Sequence, residues 1–372
     1  MSESDELLEL LYQLGARHYE FVVVTPSTLA RALSRQLRRP PTLRDIFGWN
    51  LPFTPAELEP ALLGILERAD AVEQLDGKLR SKVRVASLGE SLYIHSSYPT
   101  EQQDSVFFGP DTYRFVRFVR QRLTAMPAPK WAVDMGAGAG AGGIAVAQAA
   151  PGARVTLVDI NSTALRFAAT NGRYAAVRVE TLESGSIPAG ADLIIANPPY
   201  MMDASHRTYR DGGNLLGGAV ALDWVRQGLG SLAADGTMLL YTGAAYVHGR
   251  SPLIEAIQEA CSEPGAALSI NELDPDVFGE ELESANYAQV ERIAAIGAVI
   301  TFVRELRVSL VLSAEITFSP VRRPRRARSS HGPSSLDRRS PASPARSCRA
   351  RSPSACPSRR PPGDASARRV RC

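Results

Sequence analysis

The segment Leu193-Ile194-Ile195-Ala196-Asn197-Pro198-Pro199-Tyr200 ends an apolar run in an amide, two prolines and an aromatic ring. That set of groups suits a planar NH2 group. Such a nitrogen has a delocalised lone pair, so a protein that uses it as a nucleophile must hold it by its hydrogens and aim the lone pair. The side-chain oxygen of Asn197 and the backbone carbonyl of Pro198 are both acceptors. Pro198 and Pro199 fix φ and press the residue before each into an extended conformation, which stiffens the turn. Tyr200 offers a ring face against which a flat amide or base can stack. The plainer reading is a strand stopped by a proline-rich turn. The apolar run before it and a glycine cluster upstream favour the chemical one.

That cluster, Trp131-Ala132-Val133-Asp134-Met135-Gly136-Ala137-Gly138-Ala139-Gly140, reads as a short buried strand entering a glycine turn, with a helical run from Ile144 to Ala150 behind it. Gly136, Gly138 and Gly140 permit positive φ and close approach of a ligand. The same spacing serves a nicotinamide dinucleotide, whose pyrophosphate would face the helix N-terminus. Asp134, two residues before the first glycine, suits a cationic amino-acid ligand better than a diphosphate. The next apolar run, Arg154 to Asp159, ends in an acid nineteen to twenty-three residues past the glycines. A carboxylate there can accept both hydroxyls of a ribose. Its alternative role is to cap the helix that starts beyond Asn161 and Ser162.

Together these pieces resemble a class I S-adenosylmethionine-dependent methyltransferase of the HemK-like group, which holds the glutamine-N5 methylases of release factors and the "methyltransferase small" domains. The resemblance runs from about Phe107 to Thr301. It rests on Gly109-Pro110-Asp111-Thr112, Asp134-x-Gly136-x-Gly138-x-Gly140, Asp159 with the helix end Ala168-Ala169-Thr170-Asn171, and Asn197-Pro198-Pro199-Tyr200, the NPPY motif. It implies S-adenosylmethionine held by Asp134, Gly136, Gly138, Gly140, Asp159 and Asn197, and a catalytic turn of Asn197, Pro198 and Tyr200. A protein glutamine side chain is the leading methyl acceptor. The exocyclic amine of an RNA or DNA base, of adenine N6 or guanine N2 type, and a small-molecule amine are the alternatives. Readings of another class are a nicotinamide dehydrogenase and an RNA-binding protein.

Positioning these groups calls for an α/β fold: a Rossmann-like class I methyltransferase sheet with helices on both faces, ligand at the carboxyl ends of parallel strands. Strands are predicted near Trp131–Asp134, Arg154–Asp159, Ala176–Val179, Leu193–Ala196 and Thr237–Tyr241, with a later pair near Ala267–Leu273 and Ile293–Phe302. Glu180 and Glu183 are candidates to sit by an adenine ring, and Phe107 and Phe108 to close over the cofactor. His206, Arg207, Tyr209 and Arg210 follow the turn as a candidate lid over the acceptor, with Gly212-Gly213 at its end as a hinge.

Three divisions are expected: an accessory or substrate-docking domain at 1–104, the methyltransferase domain at 105–318 and a disordered tail at 319–372. The first shows helical patterns at Leu7–Leu14, Ser27–Leu37 and Pro55–Arg68, the last with Thr54 as cap, then a hairpin of Ser81–Ala86 and Ser91–His95. Three helices and a hairpin make it winged-helix-like. The tail turns abruptly to Arg, Ser, Pro and Ala without lysine, a composition unable to bury a core. It reads as a solvated tail, an arginine-rich RNA contact or the out-of-frame translation of a GC-rich gene end.

Over 372 residues, a 44% hydrophobic content builds an ordinary core, and no apolar stretch approaches the ~20 residues of a membrane helix. The acidic start Met1-Ser2-Glu3-Ser4-Asp5 lacks a signal-peptide pattern. Cys261 alone lies before the tail, which suits a reducing cytoplasm, and scattered histidines suggest no metal site. The net charge of +3 hides an asymmetry: fifteen arginines from Val321 onward, against Asp337 and Asp364, leave residues 1–320 at −10. An acidic body favours a protein or small-molecule acceptor over broad nucleic-acid binding.

Overall fold

The structure, a computed structural model, describes residues 2–34, 39–98, 100, 102–203, 205–262 and 265–302. Helix α1 (Glu3–Ala16) buries Leu7, Leu10, Leu11 and Leu14, the spacing of one helical face. Ser2 caps it by accepting from the Asp5 amide, and the Asp5 carboxylate accepts from the Ser2 amide in return. Helix α2 (Pro26–Leu33) has proline in its first turn and Thr25 as cap; positions 35–37 of the predicted helix lie outside the described residues. The predicted helix Pro55–Arg68 is interrupted. Thr54 and Glu57 close a capping box around a single turn at Pro55–Glu57, and α3 (Pro60–Arg68) then starts afresh. The cause is Pro60, which excludes Glu59 from the helical region and leaves it at ψ 133°.

Two ribbons follow. The first, β1 (Val72–Leu75) with β2 (Lys78–Ser81), was not foreseen, although Asp76-Gly77 is a strong two-residue turn signal and both residues have positive φ. The second, β3 (Val83–Leu88) with β4 (Ser91–Ser96), is the predicted hairpin. Ser81 itself pairs with Val72 in the first ribbon.

Beyond α4 (Pro110–Leu123) the chain alternates: β5 (Trp131–Met135), α5 (Ala141–Ala149), β6 (Arg154–Asp159), α6 (Ser162–Tyr174), β7 (Glu180–Glu183), β8 (Ala191–Ala196), α7 (Ala219–Ser231), β9 (Leu232–Tyr246), α8 (Pro252–Ala260), β10 (Ala266–Asp274) and β11 (Arg292–Phe302). The strands form one sheet in the order β10-β11-β9-β8-β5-β6-β7. From β7 to β9 neighbours are parallel, and β11 runs antiparallel to both β9 and β10. Side-chain alternation splits the core in two. Ala132, Leu193, Ile195, Leu239 and Tyr241 face α4, α5 and α6 through Phe115, Ile144 and Phe167. Val133, Ile194, Ala196, Met238 and Leu240 face α7 and α8 through Leu222, Val225 and Ile257. This is the expected Rossmann-like sheet with helices on both faces. No helix among the described residues is long and apolar enough to cross a membrane.

The third parallel strand is displaced from its predicted place at Ala176–Val179. Ala176 has φ 54° and Val177 N still bonds Gly172 O, so these residues are the exit of α6 and pairing begins only at Glu180. Winding goes from β5 to β6 and β7 on one side and to β8 and β9 on the other. The carboxyl ends of β5 and β8 therefore flank the crevice where a doubly wound sheet binds its ligand.

Asn171 connects the N-terminal ribbon to this crevice. Fully buried on α6, its Oδ1 accepts from Ile94 N at 2.8 Å, while Nδ2 donates to Ile94 O at 3.1 Å and to Ala139 O of the glycine turn at 2.9 Å. Replacing it with leucine leaves three buried backbone groups unpaired. Asn171→Leu is expected to lose ~2–5 kcal/mol, read from urea unfolding; a loss below ~1 kcal/mol would mean that these groups find other partners.

Candidate active site

A cavity of about 450 Å³ opens at the carboxyl ends of the strands. Gly136, Gly138, Asp159, Asn197, Pro198, Tyr200 and Tyr209, all predicted from the sequence, line it together with Phe107 and Phe108. Residues up to about 100 positions apart in the chain thus share one wall.

The glycine turn is held from below by β6. Gly136 N and Ala137 N both donate to Val158 O, at 2.8 and 3.0 Å, and Gly138 N donates to Asp159 Oδ2 at 2.9 Å. Asp159 Oδ1 accepts from Asn161 N. The capping role considered for Asp159 belongs instead to Asn161, whose Oδ1 accepts from Thr163 N and Ala164 N. Burial raises the Asp159 carboxyl, and the amides of Asn161, Gly138 and Ile160 oppose that rise. Gly138 sits at φ 52° with open space where a Cβ would project, so the backbone itself forms that part of the wall.

Three predicted binding residues lie behind the wall. Asp134 is 2% exposed and points under the turn, where Oδ2 accepts from Gly143 N at 2.7 Å in the first turn of α5. Its carboxylate steadies the loop and the helix N-terminus rather than facing the cavity. Gly140, at φ 79°, lets α5 approach α6: a Cβ there would stand 2.9 Å from Ala168 Cβ. Arg207 is spent on Asp203, with contacts of 2.6 and 2.8 Å, and on Thr100 O at 3.2 Å. Glu180 and Glu183 are exposed on edge strand β7, and Ile160 and Gly185 occupy the cavity wall on that side.

The turn after β8 supplies the polar focus. Asn197 Oδ1 is buried and has no hydrogen-bond partner. The Tyr200 ring lies over Gly243, where no Cβ would fit, and meets the Phe278 ring edge-on at 5.8 Å. Its hydroxyl faces the Asp111 carboxyl; burial first, then that carboxyl, raises the phenol well above its ordinary range. The ring is thus clamped, and the face available for stacking is set by its neighbours. Tyr209 lies parallel to Phe107 at 6.0 Å and donates to Thr100 O at 2.6 Å. Arg210 bridges to Glu281 at 2.5 Å. The candidate lid is therefore laced to two separate segments across the cavity. At its end Gly212 is packed against Gly217 and Tyr200 backbone, a close approach that leaves no room for a side chain. Sequence reasoning missed Asp111, Ile160, Trp224 and Phe278 in the wall. Asp111 lay within the quoted Gly-Pro-Asp-Thr motif, whereas Trp224 on α7 reaches Gly136 only through helix packing.

Residues 117–222 match the methyltransferase small domain family. The chain is 29% identical over 177 residues to a release factor glutamine methyltransferase of Rhodopirellula baltica, covering 44% of this chain and 58% of that one. It is 40% identical over 128 residues to a ribosomal protein uL3 glutamine methyltransferase of Bordetella pertussis, covering 30% and 43%. A release factor glutamine methyltransferase of Deinococcus radiodurans is 31% identical over 185 residues, covering 48% and 58%. The chain spans about half the length of these curated relatives. S-adenosylmethionine fits the wall of this cavity: the Gly138 backbone leaves the space of a side chain open, and Asp159 stands at the end of β6 to take ribose hydroxyls.

Burial, with Asp159 nearby adding to it and the Gly143 amide opposing, raises Asp134 from 3.8 to about 7. Between those values the folded chain keeps a proton that the unfolded chain releases, so this group makes stability fall as pH rises through the window. Asp134→Asn, which retains an acceptor for Gly143, is expected to flatten that slope and to be more stable than the parent above pH 7 in urea titrations. Parallel pH profiles for the two proteins would show that Asp134 titrates normally.

Proposed function

We propose that the chain is a cytoplasmic S-adenosylmethionine-dependent N-methyltransferase whose acceptor is the side-chain amide of a protein glutamine. The observation that carries this reading is the buried, unpartnered Oδ1 of Asn197 in the cavity wall beside Pro198. A buried acceptor left unpaired costs stability, and an N–H of a bound planar group satisfies it. The names of the relatives, glutamine methyltransferases acting on a release factor and on uL3, support the amide over other planar nitrogens.

The cofactor supplies a sulfonium methyl group, already a strong electrophile, so the chain has to supply position more than acid. Asn197 and the Pro198 carbonyl take the two hydrogens of the NH2 group and leave its lone pair directed at the methyl carbon. Holding reactants in such an arrangement is worth ~7–11 kcal/mol. The same carbonyl dipoles stabilise the positive charge that builds on nitrogen. Asp159, with Gly136 and Gly138, keeps the nucleoside end in place, and Phe107 and Tyr209 cover the cavity on the lid side.

The reading is tested by incubating the full chain with methyl-labelled cofactor and, separately, purified release factor, uL3, total RNA and DNA. Label on a glutamine of a protein acceptor is expected; label confined to RNA or DNA transfers the assignment to a base amine. Asn197→Ala should lose ~10²–10³-fold in single-turnover rate while cofactor affinity by calorimetry stays within about twofold. An intact rate would remove Asn197 from the chemistry. Asp159→Ala should weaken cofactor binding ~10–100-fold, and unchanged affinity would leave that residue with loop support alone.

A further inference from the structure

Phe278 reaches the cavity in a strained conformation. It sits at φ 57°, ψ 38°, the left-handed region that a bulky side chain ordinarily avoids because its Cβ then crowds the carbonyl that follows. Such a conformation persists only where the surroundings hold it, and residues 275–291, between β10 and β11, are fastened on both sides. Arg292 Nη1 donates to Pro275 O and Val277 N to Ile293 O, both at 2.8 Å. Glu281 pairs with Arg210 of the loop after the proline turn, and the buried Tyr287 accepts at its hydroxyl from Met202 N at 2.8 Å. Between these anchors the Val277 side chain goes to the core, and the partly buried Phe278 ring lines the cavity.

The sheet order decides which end of the cavity this ring serves. The glycine turn and Asp159 follow β5 and β6, on one side of β8, whereas β9, β11 and β10 lie on the other. Ile293, which receives Val277 N, comes directly after Arg292, the partner of Tyr246 at the carboxyl end of β9. Phe278 therefore stands across the Asn197 turn from the nucleoside end, against Tyr200, whose ring it meets at 70° with centroids 5.8 Å apart. Two rings at that angle form an apolar corner. A flat base stacks on the face of a ring, whereas a corner suits a chain of methylenes, which touches both rings at once. We propose that Phe278 is a specificity-determining residue for the methyl acceptor: with Tyr200 it receives the two methylenes of a glutamine side chain whose amide the Asn197 turn holds. This deepens the glutamine reading of the same cavity and rests on it. The strained backbone is what aims the ring. Glycine would relieve the strain and remove the ring together, so stability and acceptor binding are expected to part.

The test compares the parent with Phe278→Gly, Phe278→Ala and Phe278→Leu, each as the full chain, with methyl-labelled cofactor and purified release factor and uL3 as acceptors. Phe278→Gly and Phe278→Ala should each raise the acceptor KM ~10-fold, the worth of two methylenes left uncovered, with a much smaller change in kcat and a calorimetric cofactor affinity within about twofold. Phe278→Leu, still apolar, should restore most of the KM. In urea, Phe278→Gly should have a higher midpoint than Phe278→Ala, since only glycine takes this conformation without cost. An acceptor KM unchanged in both Phe278→Gly and Phe278→Ala overturns the proposal. So does a cofactor affinity that falls along with the acceptor's, which would put the ring on the cofactor side. A KM that rises only as the urea midpoint drops, and does not recover in Phe278→Leu, reduces Phe278 to packing and overturns it as well. Transfer to glutamine with an unmoved KM sinks the role of Phe278 alone; transfer by the parent to RNA or DNA alone, or to no acceptor, sinks the glutamine reading and the methylene corner with it.

Discussion

Everything at the cavity depends on backbone N–H groups of the glycine turn being held by the strand next door. Val158 O takes two of them, Asp159 takes a third, and Asp134 takes the Gly143 amide one turn into α5. These bonds replace side-chain packing in a stretch that has almost no side chains. They bring the turn down against β6 and leave its upper face bare. Binding surface made of backbone costs little entropy on ligand binding when it is already fixed in this way.

The two acids at the ends of β5 and β6 divide the work. Asp134 is wholly enclosed and serves the loop, so its ionised form is penalised. Asp159 stands at the rim of the same loop, serving both it and the cavity. Their proximity raises Asp134 further. The same logic recurs across the crevice, where Asp111, Tyr241 and Tyr200 form a buried polar cluster behind the proline turn. A polar cluster fully inside a core restricts the arrangements its members can take. Here it ties α4 and β9 to the turn that presents Asn197.

The N-terminal ribbons and α1 are not bystanders to this geometry. Asn171 joins β4 to the glycine turn through α6, and Tyr209 and Arg207 bond Thr100, so the segment before the sheet contributes to both the floor and the cover of the cavity. Phe107 and Phe108, which enter the wall just before α4, reinforce the link, Phe108 by packing on Tyr93 and His95 of β4.

The sequence by itself determined the alternation of strand and helix, the glycine turn after β5, the acid ending β6 and the Asn-Pro-Pro-Tyr turn after β8. Each is written in local terms: apolar runs of strand length, glycine at positive φ, proline that stops a strand. The Pro60 break and the Asp76-Gly77 hairpin were equally local and legible, and were overlooked. Only the tertiary structure decided which side of each residue faces ligand. Asp134 and Gly140 carry the right residue types in the right places, yet the Asp134 side chain points beneath α5 and Gly140 packs against α6. Asp111 shows the converse. Its own segment marks it only as part of the Gly-Pro-Asp-Thr motif, whereas the buried hydrogen bond it accepts comes from Tyr241, 130 residues later.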